Sequence, residues 1–242
     1  MRLLVSVRSA DEVPAAVAGG AEIVDAKEPA RGALGAVGPG ELREISRVLP
    51  AGWPLSVALG DPADDRELAS AWRLLDAING ERPLFVKVGL SAARDLAGAR
   101  SILRHAVTLA ASSPSGPGVV AVAYGDAEGP PPGAVVELAS EAGARGVLLD
   151  TWRKDGRDLF SFMAEPTVRA WATSARACGL LVAAAGSLSA AGIQRAATLP
   201  LDVVGVRGAA CLGGRHGRVD QALVRALAAA IPGSRAQPHA VA

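Results

Sequence analysis

Three lysines, Lys27, Lys87 and Lys154, stand among 22 arginines in this chain. Richness in Ala, Gly and Arg suits GC-rich coding, which replaces lysine by arginine wherever a positive charge is all that is needed. Arginine cannot serve where an amine must lose its proton, because guanidinium stays protonated and is a poor nucleophile. A desolvated lysine can attack a carbonyl and form a Schiff base. The three lysines are therefore candidates for carbonyl chemistry, against the plainer reading of drift or a local ion pair. Asp25 lies two residues before Lys27, so in a strand both side chains point to one side. Charges on an interior face are costly unless paired or used. Lys87 interrupts the apolar run Phe85-Val86-Lys87-Val88-Gly89, and Asp150 precedes Lys154 by four residues. A lysine in an apolar setting near another cation has a depressed pKa. Lys27 and Lys87 would supply this for each other if their strand ends converge. One would then be the nucleophile and the other a proton carrier, with Asp25 orienting an ammonium or carrying a proton. The residues alone do not say which lysine does which.

A second set of residues suits an anion. Ala185-Gly186-Ser187-Leu188-Ser189 and Gly205-Val206-Arg207-Gly208-Ala209-Ala210 are glycine turns after two apolar runs. Glycine lets backbone amides approach a phosphate closely, and Arg207 offers a charged fork. Gly186, Ser187, Arg207 and Gly208 are the candidate phosphate-binding residues, although turns use the same residue types. Beyond them, Gly213 to Arg218 form a basic glycine loop that suits either closure over a phosphate or simple solvation. No histidine pair has metal-ligand spacing, so neither a metal nor a cofactor is expected.

These residues must be positioned by the elements around them. Eight near-continuous apolar runs read as strands covered on both faces: 2–7, 21–27, 55–60, 84–90, 119–125, 146–150, 180–186 and 203–207. Helix patterns alternate with them. One runs from 9–12 to Gly19-Gly20, and a second begins at Pro39. The others cover 64–79, 91–111, 133–142, 166–178, 189–198 and 220–230. Eight strand–helix units in about 240 residues predict an α/β fold, a single-domain (β/α)8 TIM barrel over 1–232. An open doubly wound sheet is the alternative. Residues 112–118 and 128–133 read as loops, and 233–242 as a frayed tail. In such barrels the chemistry sits at the C-terminal strand ends, and all three lysines and both turns fall there.

Half the residues are hydrophobic and only 3% aromatic, so the apolar mass is Ala, Val and Leu. A net charge of +1 gives no reason to expect nucleic acid or an anionic membrane as partner. Cys178 and Cys211 read as buried free thiols, and no leader-like segment opens the chain, so a cytoplasmic protein is expected. The partner is a small molecule, and a homo-oligomer remains compatible.

The chain resembles the (5-formylfuran-3-yl)methyl phosphate synthase family, also called 4-(hydroxymethyl)-2-furancarboxaldehyde-phosphate synthase. The resemblance lies in Asp25-Ala26-Lys27-Glu28-Pro29 with Gly32-Ala33-Leu34-Gly35-Ala36, and in Val86-Lys87-Val88-Gly89-Leu90. It continues through Leu148-Leu149-Asp150-Thr151, Lys154-Asp155-Gly156, Leu159-Phe160, Ala185-Gly186-Ser187-Leu188 and Asp202 to Cys211. It implies a lyase of methanofuran biosynthesis, and so of one-carbon metabolism. Two molecules of glyceraldehyde 3-phosphate would condense with loss of phosphate and water. By this resemblance Lys27 is the Schiff-base lysine and Lys87 the acid/base, supported by Asp25, Asp150 and Lys154. The same residues would serve a class I aldolase of phosphorylated sugars. A non-catalytic binder of phosphometabolites would need no reactive amine.

Overall fold

The computed structural model describes residues 1–78, 84–126 and 129–232. Eight parallel strands close into a barrel in chain order: β1 Arg2–Val7, β2 Ile23–Ala26, β3 Leu55–Ala58, β4 Leu84–Gly89, β5 Gly118–Tyr124, β6 Gly146–Asp150, β7 Leu181–Ala184 and β8 Val203–Val206. Closure is made by β1 against β8, with Arg2 opposite Val203 and Val5 opposite Val206. All eight expected strands form, each within three residues of its expected ends. The closed barrel replaces the open-sheet alternative, because no strand edge is left unpaired.

Helices return the chain between strands: α1 Val13–Gly19, α2 Pro39–Val48, α3 Asp65–Trp72, α4 Leu96–Ser112, α5 Pro132–Ala142, α6 Leu159–Phe162, α7 Glu165–Ala177, α8 Ala190–Ala196 and α9 Gln221–Ala229. Their starts are set by side-chain oxygens that accept first-turn N–H groups. Asp64 does this for α3, Asp95 for α4, Asp158 for α6, Ser189 for α8 and Asp220 for α9. The helix expected from 91 begins only at Leu96. Ser91 instead donates through both its N–H and its Oγ to Asp61, which holds 91–95 as a turn. The helix expected over 64–79 ends as α3 and continues as a 3-10 segment over Arg73–Ala77, while Asn79 lies outside the described residues. Glu128 and the expected frayed tail 233–242 also lie outside them. No residue pattern marks α6, or the two-residue pair β9 Cys211–Leu212 and β10 Arg218–Val219 that brackets the basic loop.

Alternate strand residues divide the core into two layers. Outward-facing residues such as Leu3, Val5, Val57, Val86 and Leu149 pack against the helices. Inward-facing Ile23, Val120, Val122, Leu148 and Val203 form the barrel interior, joined by Ala33 and Leu34 from the loop after β2. Several inward positions carry little or no side chain, among them Ser56, Ala183, Ala185 and Gly205. A cavity of about 360 Å³ therefore opens along the axis. Among the described residues, no helix is long and apolar enough to cross a membrane.

Candidate active site

The cavity's upper wall is made by the C-terminal strand ends, and Lys27, Lys87, Asp150, Lys154, Gly186, Ser187, Arg207 and Gly208 all line it. Asp25 is fully buried just behind. Ser6 and Asp25 are register partners across β1 and β2, and Ser6 Oγ donates to Asp25 Oδ2 at 2.7 Å. Lys87 Nζ lies 2.7 Å from Asp25 Oδ1. Asp25 is thus paired with Lys87 from β4 and not with Lys27, its neighbour in sequence. Asp150 takes Lys154 Nζ at 2.8 Å, and that ammonium also donates to Thr151 Oγ1 at 3.2 Å. Burial alone would raise both aspartates. The ammonium of Lys87, then that of Lys27, outweighs it at Asp25, and Lys154 with Lys27 does so at Asp150. Both carboxyls stay below the usual range and charged.

Among the described residues, Lys27 is left as an amine without an ion-pair partner. Its backbone N–H donates to Val7 O, which anchors the strand end. Its Nζ has no carboxylate within ion-pair distance among the described residues, since Asp25 and Asp150 hold the other two lysines. Burial, and next the Lys87 charge, push its pKa down from 10.5 to about 8, against a partial opposing pull from Asp150 and Asp25. At pH 7 such an amine is free in about one molecule in ten, against about one in three thousand for an ordinary lysine.

The phosphate candidates divide. Gly186 has φ +104°, and a Cβ there would stand 2.9 Å from Thr151 Cγ2, so only glycine fits. Ser187 follows at φ +53°, a strained conformation for a non-glycine residue and one that clusters at functional sites. Among the described residues, no backbone hydrogen bond uses the N–H groups of Gly186, Ser187, Gly208 or Ala209. Arg207 departs from the expectation of a free fork. Its Nη1 donates to Ser6 O and Glu12, its Nη2 to Glu12 and Gly217 O, and its Nε to Arg215 O. All five N–H groups are committed, so Arg207 is a buried clamp tying β8 to β1 and to the basic loop. Its anchor, Glu12, is 1% exposed, although its place in a first helical turn reads as an ordinary dipole partner.

Other residues at the site carry little or no sequence signal. Asp61 follows β3 at a strand end, where the barrel rule could have found it. Its Oδ2 accepts from Tyr124 Oη at 3.0 Å and its Oδ1 from Ser91. Burial raises its pKa despite these bonds. Gly89 makes the arrangement possible, because a Cβ there would lie 2.0 Å from Asp61 Oδ1. Of the thiols, Cys211 is buried and pushed up to about 11 by desolvation, whereas Cys178 is exposed, contrary to expectation.

The family pattern described as 4-HFC-P synthase matches residues 3–228. The (5-formylfuran-3-yl)methyl phosphate synthase of Methanocaldococcus jannaschii is 35% identical over 232 residues, covering 94% of this chain and 98% of its own. The enzyme of that name from Methanopyrus kandleri is 38% identical over 236 residues, covering 95% and 98%. That of Archaeoglobus fulgidus is 35% identical over 237 residues, covering 96% and 100%. Among solved structures, 3-hexulose-6-phosphate synthase from Salmonella typhimurium superposes with TM-score 0.63 at 18% identity, covering 96% of this chain and 98% of its own. Phosphoribosyl anthranilate isomerase from Thermus thermophilus gives 0.60 at 17%, covering 95% and 98%. At those identities the likeness concerns the barrel alone.

Proposed function

Because the chain belongs to the 4-HFC-P synthase family, we propose that it makes (5-formylfuran-3-yl)methyl phosphate from two molecules of glyceraldehyde 3-phosphate through a Schiff base on Lys27. The observation that carries the mechanism is the Lys27 amine itself, buried in the cavity wall, without an ion-pair partner among the described residues and with its pKa pushed down to about 8. It attacks the aldehyde carbon of the first substrate, and water leaves as the imine forms. The imine acidifies the adjacent C–H, and removal of that proton gives an enamine that attacks the second aldehyde. Ring closure and the eliminations each move a proton, which Lys87, held by Asp25, gives and takes. Atom balance from two triose phosphates to the furan aldehyde requires one phosphate and two waters to leave. The carbon–oxygen bond lost with phosphate makes the enzyme a lyase. Asp150 and Lys154 form a charged pair at the mouth beside the amide turns at Gly186-Ser187 and Gly208. Together these give the phosphate groups a polar face opposite the apolar floor.

The test is product analysis. Glyceraldehyde 3-phosphate should yield inorganic phosphate and a furan ultraviolet absorbance in equal amounts, and Lys27→Arg should lose both by at least about a thousandfold while remaining folded. Reversible aldol cleavage without phosphate release would make the protein an aldolase instead. Full activity in Lys27→Arg would remove the mechanism.

A further inference from the structure

The cations at the mouth are unevenly paired. Lys87 has Asp25, Lys154 has Asp150 and Arg207 has Glu12. Arg215 has no carboxylate within ion-pair distance among the described residues, yet it is half-buried and lines the same cavity. It sits in the loop between β9 and β10. Its Nη2 spends both N–H bonds on Pro29 O at 2.8 Å and Gly32 O at 3.0 Å, carbonyls of the loop after β2. Its Nε is buried and donates to nothing, and no acceptor meets its Nη1 among the described residues. The two Nη1 N–H groups are therefore uncommitted beside the cavity, an unfavourable state for a half-desolvated cation that an anion would relieve.

The surroundings hold this arginine in place. Arg207 Nε donates to Arg215 O and Arg207 Nη2 to Gly217 O, while Arg8 Nη1 donates to His216 O. The loop is thus pinned by two further arginines and cannot swing freely. Gly208 lies directly beneath, since a Cβ on it would stand 3.5 Å from the Arg215 backbone nitrogen. Gly208 and the Arg215 backbone are therefore neighbours, and Gly208, Ala209 and Arg215 all line the cavity. Burial pushes the Arg215 guanidinium pKa down, and Asp150 only partly opposes that.

We propose that Arg215, and not Arg207, is the cation that binds a substrate phosphate dianion at this site, with Arg207 acting as a positioning residue that fixes the Arg215 backbone. This rests on the phosphorylated-aldehyde reading above and adds the group that distinguishes a phosphorylated from a plain aldehyde. The geometry gives the anion the uncommitted Nη1 amino group on one side and the Gly208 turn on the other.

The experiment is calorimetric titration of inorganic phosphate into the wild-type protein, Arg215→Met and Arg215→Lys, with borohydride trapping run beside it on glyceraldehyde 3-phosphate and on glyceraldehyde. Arg215→Met should weaken phosphate binding by about tenfold to a hundredfold, the range for one charge-assisted contact. Arg215→Lys, which keeps the charge but loses the planar group anchored on Pro29 O and Gly32 O, should fall between the two. The trapping preference for the phosphorylated aldehyde should drop by a similar factor, with far less change for glyceraldehyde. A merely structural role would lower trapping of both aldehydes together and leave the preference intact. Unchanged phosphate affinity in Arg215→Met, or no phosphate binding by the wild type, overturns the proposal. If affinity falls in the variant but no imine is trapped on the wild type, the anion site stands and the Schiff-base reading fails. An imine with unaltered phosphate preference means the reverse.

Discussion

Burial and the neighbouring Lys87 ammonium bring the Lys27 amine to a pKa of about 8, and two consequences follow at the scale of the single residue. The nucleophile is the deprotonated form, so the rate of imine trapping should rise with pH and level off through a midpoint near 8. A midpoint above 10 would mean that the pocket does not depress this amine. Lys87 enters through its charge and its proton. Lys87→Arg keeps the charge beside Asp25 but cannot exchange a proton at neutral pH. Turnover should fall about a hundredfold to ten-thousandfold while an adduct still forms on Lys27. Measuring product formation and trapping on the same sample separates the two steps. The lysines were legible in the sequence because an arginine-rich composition makes each remaining lysine conspicuous. Their partners were only half legible. Asp25 is two residues from Lys27 in sequence yet pairs with Lys87, because only β3 separates β4 from β2 in the barrel.

At the scale of elements, the strands could be read directly, because a strand covered on both faces is a continuous apolar run. Helix starts were less legible where a distant side chain decides them. Ser91 reads as a helix beginning, but Asp61 from the loop after β3 takes its hydrogen bonds and delays α4 to Leu96. Arg207 shows the same limit at the site. Its type and place suggest an anion fork, and only the fold reveals that Glu12, 195 residues away, occupies it. That ion pair joins β1, β8 and the basic loop, and both its members are buried. Removing the carboxylate leaves an uncompensated guanidinium inside. Glu12→Ala should therefore cost about 3–5 kcal/mol, read as a lower urea midpoint in unfolding. A loss below about 1 kcal/mol would mean that water or another carbonyl takes over.

For the whole molecule, the site is a local cost carried by a large, well-packed barrel. Unfolded, Lys27 titrates near 10.5; folded, near 8. Between those values the unfolded chain holds more protons, so wild-type stability rises as pH rises through that window. Lys27→Met has no such term. The variant should be more stable than wild type at pH 7 by about 1–3 kcal/mol, with the gain shrinking as pH approaches 10. Urea unfolding at pH 7 and pH 10 checks the sign, and equal stabilities at pH 7 would contradict a buried, strained ammonium.

The most direct measurement is to incubate the purified protein with glyceraldehyde 3-phosphate, reduce with borohydride and map the modified residue by mass spectrometry. The account predicts one adduct, on Lys27, absent in Lys27→Arg and accompanied by phosphate release when borohydride is omitted. Phosphate release and furan formation with no adduct, or an adduct on Lys87 or Lys154 in its place, would contradict it.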